Sequence, residues 1–339
     1  MEKHEATIEI KNETFTVGRL IGRGSFGDVR LGAKCGDGVD GSRIPSVIAI
    51  KLEETKEGNQ LELEAKVYKT LSGVTGFPDV YAVGEAGAHR YMAMQLLGPS
   101  LEDLFSFSGR RFSTKTLCMI ALQLLRRIEF LHSKSIVHRD LKSANVLMGG
   151  AGDEATLYVI DFGLAKHFRN PTTHKHVAYR DECGNPTHMT GTARFASINT
   201  HLGMAYSRRD DIESLGYLLV YFWKGSLPWQ NVEAMNRDRK YVAICDKKMN
   251  TPLATLCAGC PAELRSYVAA ALALGFDEKP DYSKYRKLFE KLLTRKDKTF
   301  DGNYDWNLFD APERVAADHS QSRNGTLRSV LYKKMMKKT

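Results

Sequence analysis

Apolar and polar side chains alternate along the first hundred residues, which is the pattern of β-strands with one buried face. Residues 15–31 keep this period of two through several glycines and predict a two-stranded hairpin. Further strands are predicted at residues 46–52, 79–85 and 90–96. Residues 32–45 are rich in glycine and aspartate and predict an extended loop, whereas residues 59–71 predict a helix. This part of the chain is therefore expected to form a small, mostly β lobe with one helix.

After residue 98 the apolar positions recur every three to four residues, which is the period of an α-helix. The longest predicted helix covers residues 112–133. Its apolar face contains Leu117, Ile120, Ala121, Leu124, Leu125, Ile128 and Leu131. Further helices are predicted at about residues 210–224, 233–246, 261–274 and 281–294. The expected fold class is α+β, with a β-rich lobe that carries one regulatory helix and a larger, mainly helical lobe.

These changes in pattern set the expected domain boundaries. One domain covers residues 15–310 and follows a short N-terminal extension, residues 1–14. Within it we expect a first lobe at residues 15–95, a hinge at 96–98 and a second lobe at 99–310. Residues 311–339 lose the apolar period and end in a lysine-rich run, which predicts a mobile basic tail.

The composition is that of a folded globular protein, with 42% hydrophobic and 26% charged residues. The amino terminus is charged and has no apolar signal core. The longest apolar run, residues 215–223, is too short to cross a bilayer. We therefore expect a cytoplasmic protein with no membrane span, and the basic tail leaves a nuclear location open.

The net charge is +9, which favours acidic or phosphorylated protein partners. Nucleic-acid binding is not expected, because the basic residues are not interleaved with aromatic residues on a recognised module.

Metal binding by cysteine or histidine is also not expected. Cys257 and Cys260 form a C-x-x-C pair, but no second pair or nearby histidines complete a zinc site. His174, His176 and His188 have no acidic or cysteine ligands at matching spacing. The six cysteines are expected to be reduced and mostly structural.

The most informative motif is Ile136-Val-His-Arg-Asp-Leu-Lys-Ser-Ala-Asn-Val-Leu147, which is followed by Val159-Ile-Asp-Phe-Gly163. Asp140 can accept a hydroxyl proton, and Lys142 can meet phosphoryl charge. Asn145 and Asp161 offer the hard oxygen ligands that Mg²⁺ prefers. The pattern His-Arg-Asp-x-x-x-x-Asn and then Asp-Phe-Gly is typical of the catalytic and metal loops of protein kinases.

A glycine-rich segment, Gly22-Arg-Gly-Ser-Phe-Gly27-Asp-Val29, fits the spacing G-x-G-x-x-G-x-V. Such glycines allow backbone N–H groups to approach phosphates. A dinucleotide-binding turn uses similar spacing, but a helix should then follow directly. Residues 28–31 instead continue the strand alternation, which favours a glycine-rich hairpin over the phosphates.

Lys51 ends an apolar strand and is expected to pair with the α- and β-phosphates of ATP. Such a lysine needs a carboxylate from the following helix. Glu64 is our choice and Glu62 its competitor, since a spacing of two places them on different helix faces.

The nucleotide pocket is expected to include Met94 and the backbone of residues 95–97, where the two lobes join. The full set of predicted nucleotide-binding residues is Ile21, Gly22, Gly24, Ser25, Gly27, Val29, Ala49, Lys51, Met94, Leu97 and Leu147. ATP and Mg²⁺ are the expected cofactors.

From Leu96 onward the sequence resembles the casein kinase 1 family of serine/threonine protein kinases. The resemblance is carried by residues 96–105, 191–203, 207–216, 225–230 and 276–282. Ser197-Ile-Asn199 stands where most protein kinases have Ala-Pro-Glu, which is a peculiarity of this family. The similarity extends over about residues 15–309.

The resemblance implies a bilobal protein-kinase fold, in which Asp211 braces the catalytic loop from a helix. It implies transfer of the ATP γ-phosphate to serine or threonine in acidic or phosphate-primed protein substrates. The residues that match the family's site for the substrate phosphate are Arg194, the backbone of Asn231, and Lys240. A fork-shaped guanidinium with a compact ammonium group suits a phosphate.

The chain departs from the family pattern at four places. Ser143-Ala144 replaces Pro-Asp, Gln95 replaces a glutamate, and the loop at residues 32–45 is longer than usual. Residues 181–188 are an insertion that lacks a basic residue often present there. This last change leaves open whether the family's second anion cluster, which would map onto Arg139 and Lys166, exists here.

The short basic tail predicts constitutive activity, and we expect a monomer. The alternative is a kinase-like scaffold that binds partners without catalysis. Retention of all the polar catalytic positions argues against that alternative.

Overall fold

The computed structural model describes residues 6–24, 27–36, 44–55, 60–179, 190–296 and 298–310. The chain divides into two compact units. Among the described residues, the first unit contains 6–99 and 147–163, and the second contains 100–146 and 164–310. The first is rich in β-strands and the second in helices, which confirms the predicted α+β class.

The β-rich unit contains a six-stranded antiparallel sheet in the order β1-β2-β3-β4-β6-β5. Its strands are β1 Thr7–Ile10, β2 Glu13–Gly24, β3 Gly27–Lys34, β4 Val47–Glu54, β5 Val80–Ala86 and β6 His89–Met94. One face of this sheet packs a core of Ile8, Ile10, Phe15, Ile44, Ile48, Ile50, Tyr91 and Ala93. The strands and helix predicted between residues 15 and 96 are therefore present, with ends shifted by a few residues.

The strand β1 was not predicted, because residues 1–14 were interpreted as an extension. It pairs with β2 from Thr7 opposite Thr16 to Ile10 opposite Glu13. This pairing buries Ile8 and Ile10 in the core. Four residues are too few for a periodic signal, so only the paired partner reveals the strand.

The single helix of this unit is α1, Gln60–Leu71. Its buried residues are Leu61, Glu64, Tyr68 and Leu71, which share one helical face. The Glu53 carboxylate accepts the Leu61 N–H at 3.1 Å and satisfies a backbone donor in the first turn of the helix. Of the predicted loop 32–45, β3 occupies the first three residues, and residues 37–43 lie outside the described part of the chain.

The helical unit contains the helices α2 Leu101–Phe107, α3 Thr114–Ser133, α4 Ile198–His201, α5 Arg208–Lys224, α6 Arg237–Met249, α7 Leu253–Leu256, α8 Ala262–Leu272 and α9 Tyr282–Arg295. The helix α3 packs against α5 and α9, and α8 packs against both α5 and α9. Two short strands, β7 Ile136–Val137 and β10 Lys166–His167, pair within this unit. Another pair consists of β8 Val146–Met148 and β9 Leu157–Val159.

Helix ends follow local capping more closely than the apolar pattern. The prediction of a helix at 233–246 was wrong at its start, because Asn236 caps α6 by accepting the Arg239 N–H at 2.9 Å. The helix α5 ends at Gly225, whose φ of 85° is a common helix stop. The helices α2, α4 and α7 are too short to show a helical period and were not predicted. Within the described ranges, no helix combines the length and apolarity needed to cross a membrane.

Candidate active site

The face of the sheet opposite the core carries several predicted site residues. Strand register places Val29 opposite Lys51 and Ala49 opposite Met94. Residues two apart on β4 point to the same face, so these four side chains share one surface of the β-rich unit. Ala49 and Met94 are buried, and Val29 is half-buried. Lys51 is thus flanked on this surface by three apolar side chains.

The Lys51 ammonium group lies in an ion-pair cluster. Its Nζ is 2.6 Å from the Glu64 carboxylate and 3.3 Å from the Asp161 carboxylate. Glu64 is 1% exposed and Lys51 4%, so bulk water does not screen this pair. Burial opposes the charged lysine, but Glu64 and Asp161 outweigh it and raise the pKa of Lys51. The ammonium group therefore stays protonated at neutral pH.

The structure also shows which of the two candidate glutamates pairs with Lys51. Glu64 shares the buried face of α1, whereas the exposed Glu62 pairs with Lys66 at 3.0 Å, one turn along the helix. The carboxylate that meets Lys51 is therefore Glu64.

Asp161 is held in a backbone conformation that is uncommon for a non-glycine residue, with φ of 65°. Its N–H donates to the Tyr68 hydroxyl at 3.0 Å. The next residue, Phe162, is buried and packs edge-on against the Tyr68 ring at 5.0 Å between centroids. The helix α1 thus fixes Asp161 through Tyr68 as well as through the Glu64–Lys51 pair. No motif in the sequence indicated this role of Tyr68.

The glycines of the segment 22–27 are not equally constrained. A Cβ on Gly27, whose φ is 146°, would lie 1.9 Å from the Leu52 carbonyl oxygen. The same atom on Gly22 or Gly24 would meet only ordinary van der Waals contacts, at 3.6 Å or more. Close packing against β4 therefore requires glycine at 27. Ser25, predicted to bind the nucleotide, lies outside the described residues.

The remaining predicted nucleotide-binding residues also belong to this unit. Leu97 is buried, and Ile21 and Leu147 are half-buried. Gln95, which replaces the family's glutamate, makes two hydrogen bonds with Asp79. The Gln95 N–H donates to the Asp79 carbonyl at 2.8 Å, and the Gln95 side-chain oxygen accepts the Asp79 N–H at 3.3 Å. The neutral amide therefore fixes the end of β6.

In the helical unit, the Asp140 carboxylate is buried, and a hydrogen bond to each of its two oxygens fixes its orientation. Oδ1 accepts the Thr192 N–H at 2.8 Å, and Oδ2 accepts Lys142 Nζ at 2.6 Å. Asn145 Nδ2 donates to the Asp140 carbonyl at 3.0 Å, and the Asp140 N–H donates to His138 Nδ1 at 3.2 Å. Asp140, Lys142 and Asn145 are thus in contact with one another. His138 and Thr192 complete the group and were not singled out from the sequence.

The short 3₁₀ turn Ser143–Asn145 positions Asn145. Ser143, which stands where the family has proline, donates its hydroxyl to the Glu102 carboxylate on α2. This departure therefore supplies a side-chain contact to the turn.

The backbone before Asp140 is held by Asp211 on α5. The buried Asp211 carboxylate accepts the N–H groups of His138 at 2.8 Å and Arg139 at 3.0 Å. His132 Nε2 lies 2.9 Å from the same carboxylate. Burial alone would raise the pKa of Asp211, but hydrogen bonding and charge from His132 and His138 outweigh it and lower the pKa. This is the bracing contact that the resemblance implied.

Gly191 packs closely against the backbone of Arg139 and the carboxylate of Asp140. Its φ is 86°, and a Cβ there would lie 2.5 Å from the Arg139 carbonyl and 3.2 Å from Asp140 Oδ1. Thr192 can therefore reach the carboxylate only because residue 191 has no side chain.

Arg194, a predicted contact for the substrate phosphate, is supported by aromatic residues. Its guanidinium lies over the Phe195 and Tyr221 rings at 5.6 and 5.4 Å, and its carbonyl accepts Trp229 Nε1 at 2.8 Å. Lys240 is exposed in the first turn of α6, and Asn231 is exposed in the preceding loop. The structure thus fixes Arg194 and leaves the other two on the surface of the same unit.

The buried Lys248 forms hydrogen bonds with the backbone of the segment that carries Arg194. Lys248 Nζ donates to the Ala193 carbonyl at 2.9 Å and to the Ala196 carbonyl. It also lies 5.1 Å from the centre of the Trp229 ring. Burial lowers the pKa of Lys248 to about 7, against the opposing charge of Glu213. Sequence reasoning missed this lysine.

The proposed second anion cluster is described only in part. Arg139 is half-buried, donates to the Thr190 hydroxyl at 3.0 Å and lies over the Tyr206 ring at 5.6 Å. Lys166 is exposed on β10. The insertion at residues 181–188 lies outside the described residues.

The donor atoms suit Mg²⁺ better than a transition metal. Asp161 offers carboxylate oxygens, and Asn145 offers its amide oxygen because its Nδ2 is occupied by Asp140. In the described part of the chain, no three histidine, cysteine, aspartate or glutamate side chains are grouped to hold a metal ion by themselves. Each of the two compact units thus contains one residue with a hard oxygen donor of the kind that Mg²⁺ prefers, Asp161 in the first and Asn145 in the second.

Comparison with known protein families gives a match over most of the chain. Residues 15–299 match the family model described as protein kinase domain.

Proposed function

The chain belongs to the protein kinase family, and from this premise we propose that it is an active, ATP-dependent serine/threonine kinase of the casein kinase 1 type. Its fold is the bilobal protein-kinase fold, and its substrates are proteins. The proposed substrates are acidic or already phosphorylated near the target hydroxyl. We further propose a monomer that works in the cytoplasm or nucleus.

The observation that carries the proposal is the buried contact between Lys51 and Glu64 at 2.6 Å. In protein kinases this ion pair must be in place for phosphoryl transfer. A catalytically silent scaffold has no need for a lysine held between two carboxylates in a buried site.

The proposed roles follow from the chemistry of each side chain. Asp140 accepts the proton of the substrate hydroxyl, since its carboxylate is already oriented by Thr192 and Lys142. Lys142 contributes positive charge toward the transferred phosphoryl group. Asn145 and Asp161 would each offer an oxygen ligand to Mg²⁺, which when bound would neutralise phosphate charge. Lys51 positions the α- and β-phosphates.

Substrate preference is assigned to a phosphate site formed by Arg194, Lys240 and the backbone N–H of Asn231. The packing of Arg194 over Phe195 and Tyr221 supports this, because a guanidinium held by aromatic rings needs little further ordering on binding. A compact lysine charge with a planar guanidinium matches the oxygens of a phosphate.

Transfer of labelled phosphate from ATP to casein and to a serine peptide with a phosphate three residues upstream tests the proposal. Asp140→Asn and Lys51→Met should each lower kcat/KM by at least about 100-fold, whereas exposed Lys69→Met should not. Phosphoamino-acid analysis of the product should show phosphoserine or phosphothreonine. Equal activity in the wild type and in both site variants would refute the proposal and favour the scaffold.

A further inference from the structure

Cys257 and Cys260 stand at the two ends of the turn that joins α7 to α8. Cys257 directly follows α7, and its N–H donates to the Leu253 carbonyl at 2.9 Å. The Cys260 N–H donates to the Cys257 carbonyl at 3.0 Å, and Gly259 supplies the positive φ, 75°. A turn closed in this way keeps its end Cα atoms within about 7 Å. Disulfides form at Cα separations of about 4.4–6.8 Å, so the backbone is suited to one.

Each thiol also changes the acidity of the other. A hydrogen bond from Cys260 is the largest influence on Cys257, and it lowers the pKa of that thiol against the effect of burial. The charges of Lys224 and Arg265 act in the same direction. The pKa of Cys260 is raised, chiefly by the same hydrogen bond. Cys257 is therefore the better nucleophile of the pair, because the thiolate is the reactive form.

The turn is anchored on one side and open on the other. Trp223 Nε1 donates to the Gly259 carbonyl at 2.9 Å, and Lys224 Nζ donates to the Leu256 carbonyl at 3.1 Å. Both residues belong to the last turn of α5. A Cβ on Gly259 would meet no atom within 4 Å, and Cys260 is partly exposed. Cys257 itself is buried, so a small solute approaches the pair past the partly exposed Cys260 while α5 holds the turn in place.

The arrangement fits redox chemistry better than metal binding. A structural zinc site needs four ligands, and among the described residues no third cysteine, histidine or carboxylate joins these two sulfurs.

We propose that Cys257 and Cys260 form a reversible disulfide when the protein meets a peroxide. The Cys257 thiolate attacks one oxygen of hydrogen peroxide, which breaks the O–O bond and gives a sulfenic acid and hydroxide. The Cys260 thiol then attacks the Cys257 sulfur, its proton leaves with the sulfenic hydroxyl as water, and the S–S bond forms. Two electrons pass from the two sulfurs to the peroxide. A dithiol reductant returns them and restores both thiols.

The experiment uses the full chain, reduced and held with a metal chelator. It is treated with hydrogen peroxide, alkylated and mapped by mass spectrometry after digestion. We expect a peptide with Cys257 and Cys260 linked, two mass units lighter than the dithiol form, which dithiothreitol reverses. The exposed Cys35 serves as the internal standard for peroxide dose. Cys118 and Cys245 lie inside α3 and α6 and not at an open turn, so they should remain alkylatable under denaturing conditions.

Cys260→Ser should leave a sulfenic acid on Cys257 that a cyclic diketone probe traps, whereas Cys257→Ser should give much less probe labelling at Cys260. The proposal is overturned if both thiols of the wild type stay alkylatable at a peroxide dose that fully oxidises Cys35. It is equally overturned if Cys257 bonds to a different cysteine. Neither readout depends on kinase activity.

Discussion

The buried carboxylate of Asp211 accepts the backbone N–H of Arg139 at 3.0 Å, and Arg139 holds a φ of 72°. A positive φ costs about 1–2 kcal/mol in a residue with a bulky side chain. The hydrogen bond offsets this cost and fixes the peptide between His138 and Arg139, one residue before Asp140. The direction of the proposed catalytic carboxylate thus depends on a second carboxylate from α5.

Replacing Asp211 by asparagine is expected to lower both stability and phosphoryl transfer. The amide keeps the shape but turns a donor toward backbone N–H groups that need an acceptor, at a cost of about 3 kcal/mol. Urea unfolding and the casein assay measure the two effects. Asp238→Asn, on the exposed first turn of α6, is the control and should change neither. An Asp211→Asn protein with normal activity would contradict the bracing role.

Gly191→Ala should lower activity by more than the strain of an alanine at positive φ explains. The new Cβ would lie 2.5 Å from the Arg139 carbonyl, so the segment must move and Thr192 must release Asp140. We expect a drop of at least about tenfold in kcat. Gly152→Ala is the matched control, because Gly152 has a similar φ of 89° but an open environment. If both variants lose activity equally, strain alone is the cause.

Glu64→Gln should weaken phosphoryl transfer, while Glu62→Gln should not. The substitution at 64 removes the negative charge opposite Lys51 and allows the ammonium group to turn toward Asp161. A charge-assisted hydrogen bond is worth about 1.5–3 kcal/mol, which corresponds to about 10- to 100-fold in kcat/KM. Steady-state kinetics with ATP varied provide the measurement. A strong effect at 62 with none at 64 would reverse the assignment.

The free energy of unfolding should fall as the pH decreases below 6.5. Burial lowers the pKa of His132, and it lowers the pKa of His201 to about 3, with Lys248 acting in the same direction. The unfolded chain therefore binds protons near pH 6.5 that the folded chain does not, and acid favours unfolding by up to about 1.4 kcal/mol per pH unit for each histidine. His201→Gln should flatten the dependence between pH 6.5 and 5, and exposed His89→Gln should not. Denaturant unfolding at several pH values tests this, and an unchanged slope in His201→Gln would exclude that histidine.

Lys240→Ala should raise KM for a phosphate-primed peptide and spare an unprimed peptide of the same length. The loss should be about tenfold or less, because Lys240 is exposed and solvent screens its charge. Lys247→Ala, also exposed on α6, controls for the change in net charge. Equal losses on the two peptides would argue against a site for the priming phosphate.

The sequence by itself determined the elements and the chemical groups. Apolar periods located most strands and the long helices, since burial of one face imposes a period of two or of about three and a half. Motif spacing selected Asp140, Lys142, Asn145 and Asp161, because these residues lie close along the chain. It also supplied Lys51 and limited its partner to two glutamates.

Tertiary structure decided what lies around those groups. Asp211 and Arg139 are 72 positions apart, Thr192 is 52 positions from Asp140, and Tyr68 is 93 positions from Asp161. Local periodicity contains no information about such contacts, because each depends on how whole elements pack. The choice of Glu64, the need for glycine at 191 and the burial of Lys248 follow from that packing alone.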